Sequence, residues 1–194
     1  MLLRLVVGPS GLRSRFPAEV AEFYDDLVTG ARVVAADFPF AAWSEPGDAP
    51  PHLDQVDVAD LRRVAARRAV SDGTTPLGTG SAFTDPVLAA VWDRGPEHVV
   101  GRGAPPVVTG VARLGAYDHF LHHTGEPVVY SPADFAPVVR DNRAPGGVVL
   151  SAPRLIAELH HLSAVIGPDA GVNALVAAAR TATAAGAALV AEYA

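Results

Sequence analysis

Apolar residues in this chain fall in short runs and helical stripes, broken at regular intervals by glycine and proline. Leu2 to Val7 is apolar except for Arg4 and reads as a buried strand, closed by a turn at Gly8-Pro9-Ser10-Gly11. Pro17 can open a helix in which Val20, Phe23, Tyr24 and Leu27 face inward and which Gly30 ends; Arg32 to Phe38 then reads as a second strand. Ser44 to Gln55 is proline-rich and reads as a loop, after which Asp57 or Asp60 leads a helix to Val70 with Val58, Leu61, Val64 and Ala65 inward.

Beyond an irregular stretch from Ser71 to Ser81, Thr84 is placed to cap a helix ending at Trp92, and a loop is expected from Gly95 to Pro106. Val107 to Leu114 and Pro127 to Tyr130 read as strands on either side of a short helix from Gly115 to His123. Ser131-Pro132-Ala133-Asp134 has the chemistry of a helix start, and Gly147 to Leu150 is a further strand. Ser151 caps a helix over Ala152 to Ile166, and a helix from Val172 to Ala185 gives way at Gly186 to a terminal strand, Ala187 to Tyr193. This pattern predicts an α/β (or α+β) fold: a single layered domain over residues 1–194, with a mixed sheet of about six short strands and about seven helices packed on it. A boundary, if there is one, falls in the loop at 95–106.

The net charge of −6 repels polyanions, so nucleic acid is not expected as a partner. All fifteen basic residues are arginine, which marks codon bias and denies any one of them special weight. With no cysteine, thiolate metal sites and disulfides are excluded. The N-terminal apolar run is too short for a signal sequence, and the Ala-rich C-terminal stretch carries Arg180, Thr181 and Thr183, so no membrane span and a cytoplasmic location are expected.

Five of the seven histidines cluster. His119 and His123 share one helical face, and with Glu126 they make a candidate metal site, set against a plain solvated face with His119 and His122 pointing outward. In the second cluster His160 flanks an apolar stripe and is expected to be partly buried, a candidate general acid or base. Tyr117 or Asp118 would orient that histidine or His119, and Arg154 would hold an anionic substrate. No cofactor is indicated. Arg62, Arg63, Arg67 and Arg68 form a basic patch that Asp60 and the helix dipole can balance, while Glu19, Glu22, Asp25 and Asp26 give the first helix an acidic outer face, either solvated or open to a basic partner.

Three pieces resemble the small YfbM-like domains of unknown function: Gly80 to Phe83 with Asp85 to Val91, Val129 to Phe135, and the final helix, Gly186 and strand. The rest of the N-terminal hundred residues does not follow that pattern, and the resemblance implies no activity. Two functional readings remain. The first is a small acidic protein that binds a protein partner, in the manner of an immunity or regulator domain. The alternative is a small-molecule enzyme with a histidine acid or base, with or without a metal. The absence of any compact catalytic motif favours the first.

Overall fold

In the computed structural model, the described residues are 2–8, 16–46, 52–70, 84–101, 116–122 and 126–193. They form seven strands, β1 (Leu2–Val7), β2 (His52–Asp57), β3 (Val99–Gly101), β4 (Val128–Ser131), β5 (Val138–Arg140), β6 (Val148–Ser151) and β7 (Leu189–Tyr193). Six helices accompany them: α1 (Ala18–Ala35), α2 (Ala59–Val70), α3 (Pro86–Arg94), α4 (Asp118–Leu121), α5 (Ala152–Ile166) and α6 (Ala170–Ala185). The strands make one mixed sheet in the order β2-β1-β7-β4-β6-β5-β3. β4–β6 and β3–β5 are parallel and the remaining pairs antiparallel. The expected α/β class is therefore found, with seven strands rather than six and six helices rather than seven among the described residues.

Alternation along each strand sends its side chains to opposite layers. Leu3, Leu5, Val7, Tyr130, Leu150, Leu189 and Ala191 join the core under α2 to α6. Val6, Val129, Val139, Val149 and Val190 join a smaller core under α1 alone. The central strands are thus buried on both faces, as their continuous apolar runs require.

Several element assignments change. Gly30 does not end α1, which runs on to Ala35 because Ala31, Val34 and Ala35 are buried against the sheet. Burying that turn outweighs the roughly 1 kcal/mol that a mid-helix glycine costs. The strand expected at Arg32 to Phe38 is thereby absorbed into helix. The second strand lies instead at His52–Asp57, where the sequence suggested a loop, pairing along its length with β1. Strand β3 likewise occupies the loop expected at 95–106 and pairs with β5. Ser131 starts no helix; its hydroxyl accepts from the Ala133 N–H in a turn that leads into β5. Asp85, not Thr84, caps α3, accepting from the N–H groups of Val87 and Leu88. The strand expected at Val107 to Leu114 lies outside the described residues.

Candidate functional site

Helix α1 lies across one face of the sheet on a stripe of mostly small residues, Ala21, Tyr24, Val28, Ala31, Val34 and Ala35. Its underside is tied to the strands through Tyr24, whose hydroxyl donates to Glu192 Oε1 at 2.5 Å, while Arg4 Nη1 donates to the same carboxylate at 2.8 Å. The opposite face carries Glu19, Glu22 and Asp26, all exposed. Spaced by three and four residues, they form one row over roughly 10 Å of helix axis. None of the three takes part in an ion pair among the described residues. Asp25 lies beside the row, half-buried. Phe23, expected inward, is 45% exposed beside Glu19 and Asp26, and Val33, 56% exposed, continues the row.

The arginines behave in the opposite way. Arg62 is fully buried, stacked over the rings of Phe120 and Tyr193 and hydrogen-bonded to the Tyr193 hydroxyl. Arg67 is buried in a pair with Asp85 at 2.9 Å, and Arg63 bonds Asp60, the one part of the patch that follows the sequence reading. Burial works to raise the Asp85 carboxyl, but Arg67 and the two capping N–H groups hold it below its ordinary value. Arg143 bridges Asp37 and Asp141, and Arg154 pairs with Asp134. Arg62 and Arg67 are thus turned inward and Arg143 and Arg154 are held by carboxylates, while Arg32 at the end of α1, Arg68, Arg140 and Arg180 stay exposed; the carboxylates of the α1 row face solvent.

The segment carrying Tyr117, Asp118 and His119 is a buried plug between the sheet and α5. His119, expected on the outside, is 1% exposed. Its Nδ1 accepts from the Ser151 N–H at 3.0 Å and its Nε2 donates to the Ala136 carbonyl at 3.0 Å. Both ring nitrogens are thus engaged, and burial holds the ring neutral with a pKa down to about 4. His122, also buried, falls to about 4 for the same main reason. Asp118 accepts from the N–H groups of Glu97 and His98. Glu158 accepts from those of His119 and Phe120, yet its burial pushes it up to about 8. Tyr117 adopts a left-handed backbone, φ 53°, and its hydroxyl meets His161 Nδ1 at 2.9 Å.

His160, expected to be partly buried, is exposed on α5 beside Arg180. The structure therefore brings Tyr117, Asp118 and His119 together in a packed interior, leaves His160 on the surface and holds Arg154 half-buried against Asp134. Of the candidate metal ligands, His119 has both nitrogens occupied, Glu126 is exposed, and His123 lies outside the described residues. No group of three or more potential ligands occurs among the described residues. Nor does any described helix have the length and apolarity to cross a membrane.

This architecture, a row of solvent-facing carboxylates on a helix braced against a sheet, coincides with a family match over nearly the whole chain. The family model described as "Putative DNA-mimic protein" matches residues 1–191, and the chain belongs to that family. Searches of curated proteins and of solved structures returned no match. The family overturns both functional readings drawn from the sequence. An immunity- or regulator-like domain is not what it describes, and neither is a histidine-based small-molecule enzyme. The expectation of a small-molecule partner falls with them, and the family is not the YfbM-like one. The acidic row was visible in the sequence at Glu19, Glu22, Asp25 and Asp26, where it stood equally as a solvated face or as one open to a basic partner. What the sequence lacked was any sign that the fold would bury Arg62 and Arg67 of the basic patch while leaving the acidic row in water.

Proposed function

We propose that this protein is a DNA mimic that occupies the DNA-binding surface of a DNA-binding protein through the outer face of α1. The observation that carries the reading is the exposed row Glu19, Glu22 and Asp26, which enters no ion pair among the described residues, taken with the family to which the chain belongs. The three exposed carboxylates follow one another at about 4.5 and 6 Å along the helix axis, a wider spacing than the roughly 3.4 Å per phosphate along one DNA strand but on the same scale. A protein built to grip phosphates with arginine and lysine meets a comparable line of anions, held on a backbone that does not bend. The cytoplasmic location expected from the sequence is kept as part of this proposal.

The test is capture from the host lysate on the immobilised protein, repeated with excess duplex or single-stranded DNA and with the variant Glu19→Gln/Glu22→Gln/Asp26→Asn. The expected result is recovery of one or a few DNA-binding proteins, released by DNA and reduced at least tenfold with the variant. Partners that bind no DNA, or that the variant retains equally well, would sink the proposal.

A further inference from the structure

The α1 face carries more than charge. Phe23 sits at the fourth residue after Glu19 and the third before Asp26, so its ring lies between two carboxylates on the helix surface. The ring is oriented from below, because it packs edge-on against Tyr24 with centroids 5.4 Å apart. Tyr24 is itself buried and anchored to Glu192 of β7. An aromatic face is thus presented beside a line of anions, fixed in place before any partner arrives.

Duplex DNA offers no such combination. Its base faces are stacked on one another, and only base edges reach the grooves. A single strand does offer it, with phosphates on one side and unstacked aromatic faces on the other. Proteins that bind single strands answer with a positively charged groove lined by aromatic side chains. We infer that the target of this mimic is a single-strand-binding groove, cationic and aromatic-lined, which receives the Glu19–Glu22–Asp26 row in place of phosphates and Phe23 in place of a base. The charge is complementary, and a preoriented ring meets an aromatic groove at little cost in side-chain entropy. Val33, further along the same row, extends the apolar contact beyond the acids.

This inference rests on the DNA-mimic reading, and its experiment separates the two. An OB-fold single-strand-binding protein loaded with fluorescent oligo(dT), and a helix-turn-helix repressor on its fluorescent duplex operator, are each titrated with the protein while anisotropy is followed. The expected result is displacement of oligo(dT), weakened about tenfold by Phe23→Ala and retained by Phe23→Trp, since base–aromatic stacking is worth roughly that factor or more. Phe23 is half exposed, so its truncation leaves the fold intact, which circular dichroism checks. Displacement of the duplex alone would overturn the single-strand assignment while leaving DNA mimicry standing. Displacement of oligo(dT) that Phe23→Ala does not change would remove the ring from the interface and overturn the assignment as well. If neither probe is displaced the single-strand assignment fails, and mimicry is then judged by the lysate capture with the acid-row variant.

Discussion

Helices α1 and α2 each carry four like charges in one short stretch, and the fold treats them in opposite ways. On α2 it takes Arg62 under two aromatic rings, pairs Arg67 with Asp85 in the interior and bonds Arg63 to Asp60, leaving only Arg68 of the four at an exposed position. On α1 it leaves Glu19, Glu22 and Asp26 in water. The net charge of −6 therefore does not say where the charge is felt: Arg62 is wholly inside, whereas the Glu19, Glu22 and Asp26 carboxylates reach water. Charge composition says how many charges a chain has; burial decides which of them a partner can feel.

The sharpest way to break this contrast is at Asp85. If the α2 charges are structural, Asp85→Ala leaves the buried Arg67 guanidinium without its carboxylate and removes the cap of α3. The expected cost is about 3–5 kcal/mol for the broken buried pair, with roughly 1 kcal/mol more from the cap. Urea unfolding followed by circular dichroism measures it. A cost below 1 kcal/mol would mean that Arg67 reaches solvent when its partner is lost, and the inside-versus-outside division would fail.

A second break point is the buried plug, through its pH dependence. His119 and His122 titrate near 4 in the folded protein against 6.5 as ordinary histidines, so their contribution is complete above pH 6.5 and is lost as pH falls towards 4. Glu158 runs the other way. Raised to about 8 from 4.5, it contributes fully below pH 4.5 and loses that contribution as pH rises through 8. Between 4.5 and 6.5 the two histidines outweigh Glu158 within the plug and stability should climb, the rise blunted at its acid end by Glu45, which burial also raises; above 6.5 Glu158 dominates among these groups and stability should fall, on the order of a few kcal/mol at most. Thermal unfolding should therefore peak near pH 6.5, and Glu158→Gln should flatten the alkaline side. A profile still rising at pH 8 would show that Glu158 is ionised in the fold.

The same division explains what the sequence made legible. Elements with strong local signals came through: the Ser151 cap that opens α5, Gly186 in left-handed conformation ending α6, and the apolar strands β1, β6 and β7. Elements set by tertiary contact did not. β2 alternates half-buried and exposed positions, with Val56 its only buried residue, and it is a strand because β1 pairs with it. Among the candidate residues, periodicity alone put His119 outside. The backbone N–H of Ser151 and the carbonyl of Ala136, both distant in sequence, supply the two hydrogen bonds that let it lie inside. Phe23 was misassigned for the converse reason, since a stripe drawn from hydrophobicity cannot distinguish a ring that packs on the sheet from one that rests on its neighbour Tyr24.

The smallest effect expected is also the one whose sign matters most. Glu22 stands three residues from Glu19 and four from Asp26, so it makes two like-charge contacts along the exposed row. Each such pair destabilises an exposed helix by about 0.2–0.5 kcal/mol. Glu19 is in the first turn and is favoured by the helix dipole, so it is left unchanged. The double variant Glu22→Gln/Asp26→Asn should therefore raise stability by a few tenths to about 1 kcal/mol, with the gain shrinking in high salt, while binding to the target falls. On α2, removing a charge costs stability; on α1 it should return some. A row kept against its own repulsion is what an acidic binding face requires, whereas a double variant that loses stability would mean these carboxylates hold the fold and not a partner.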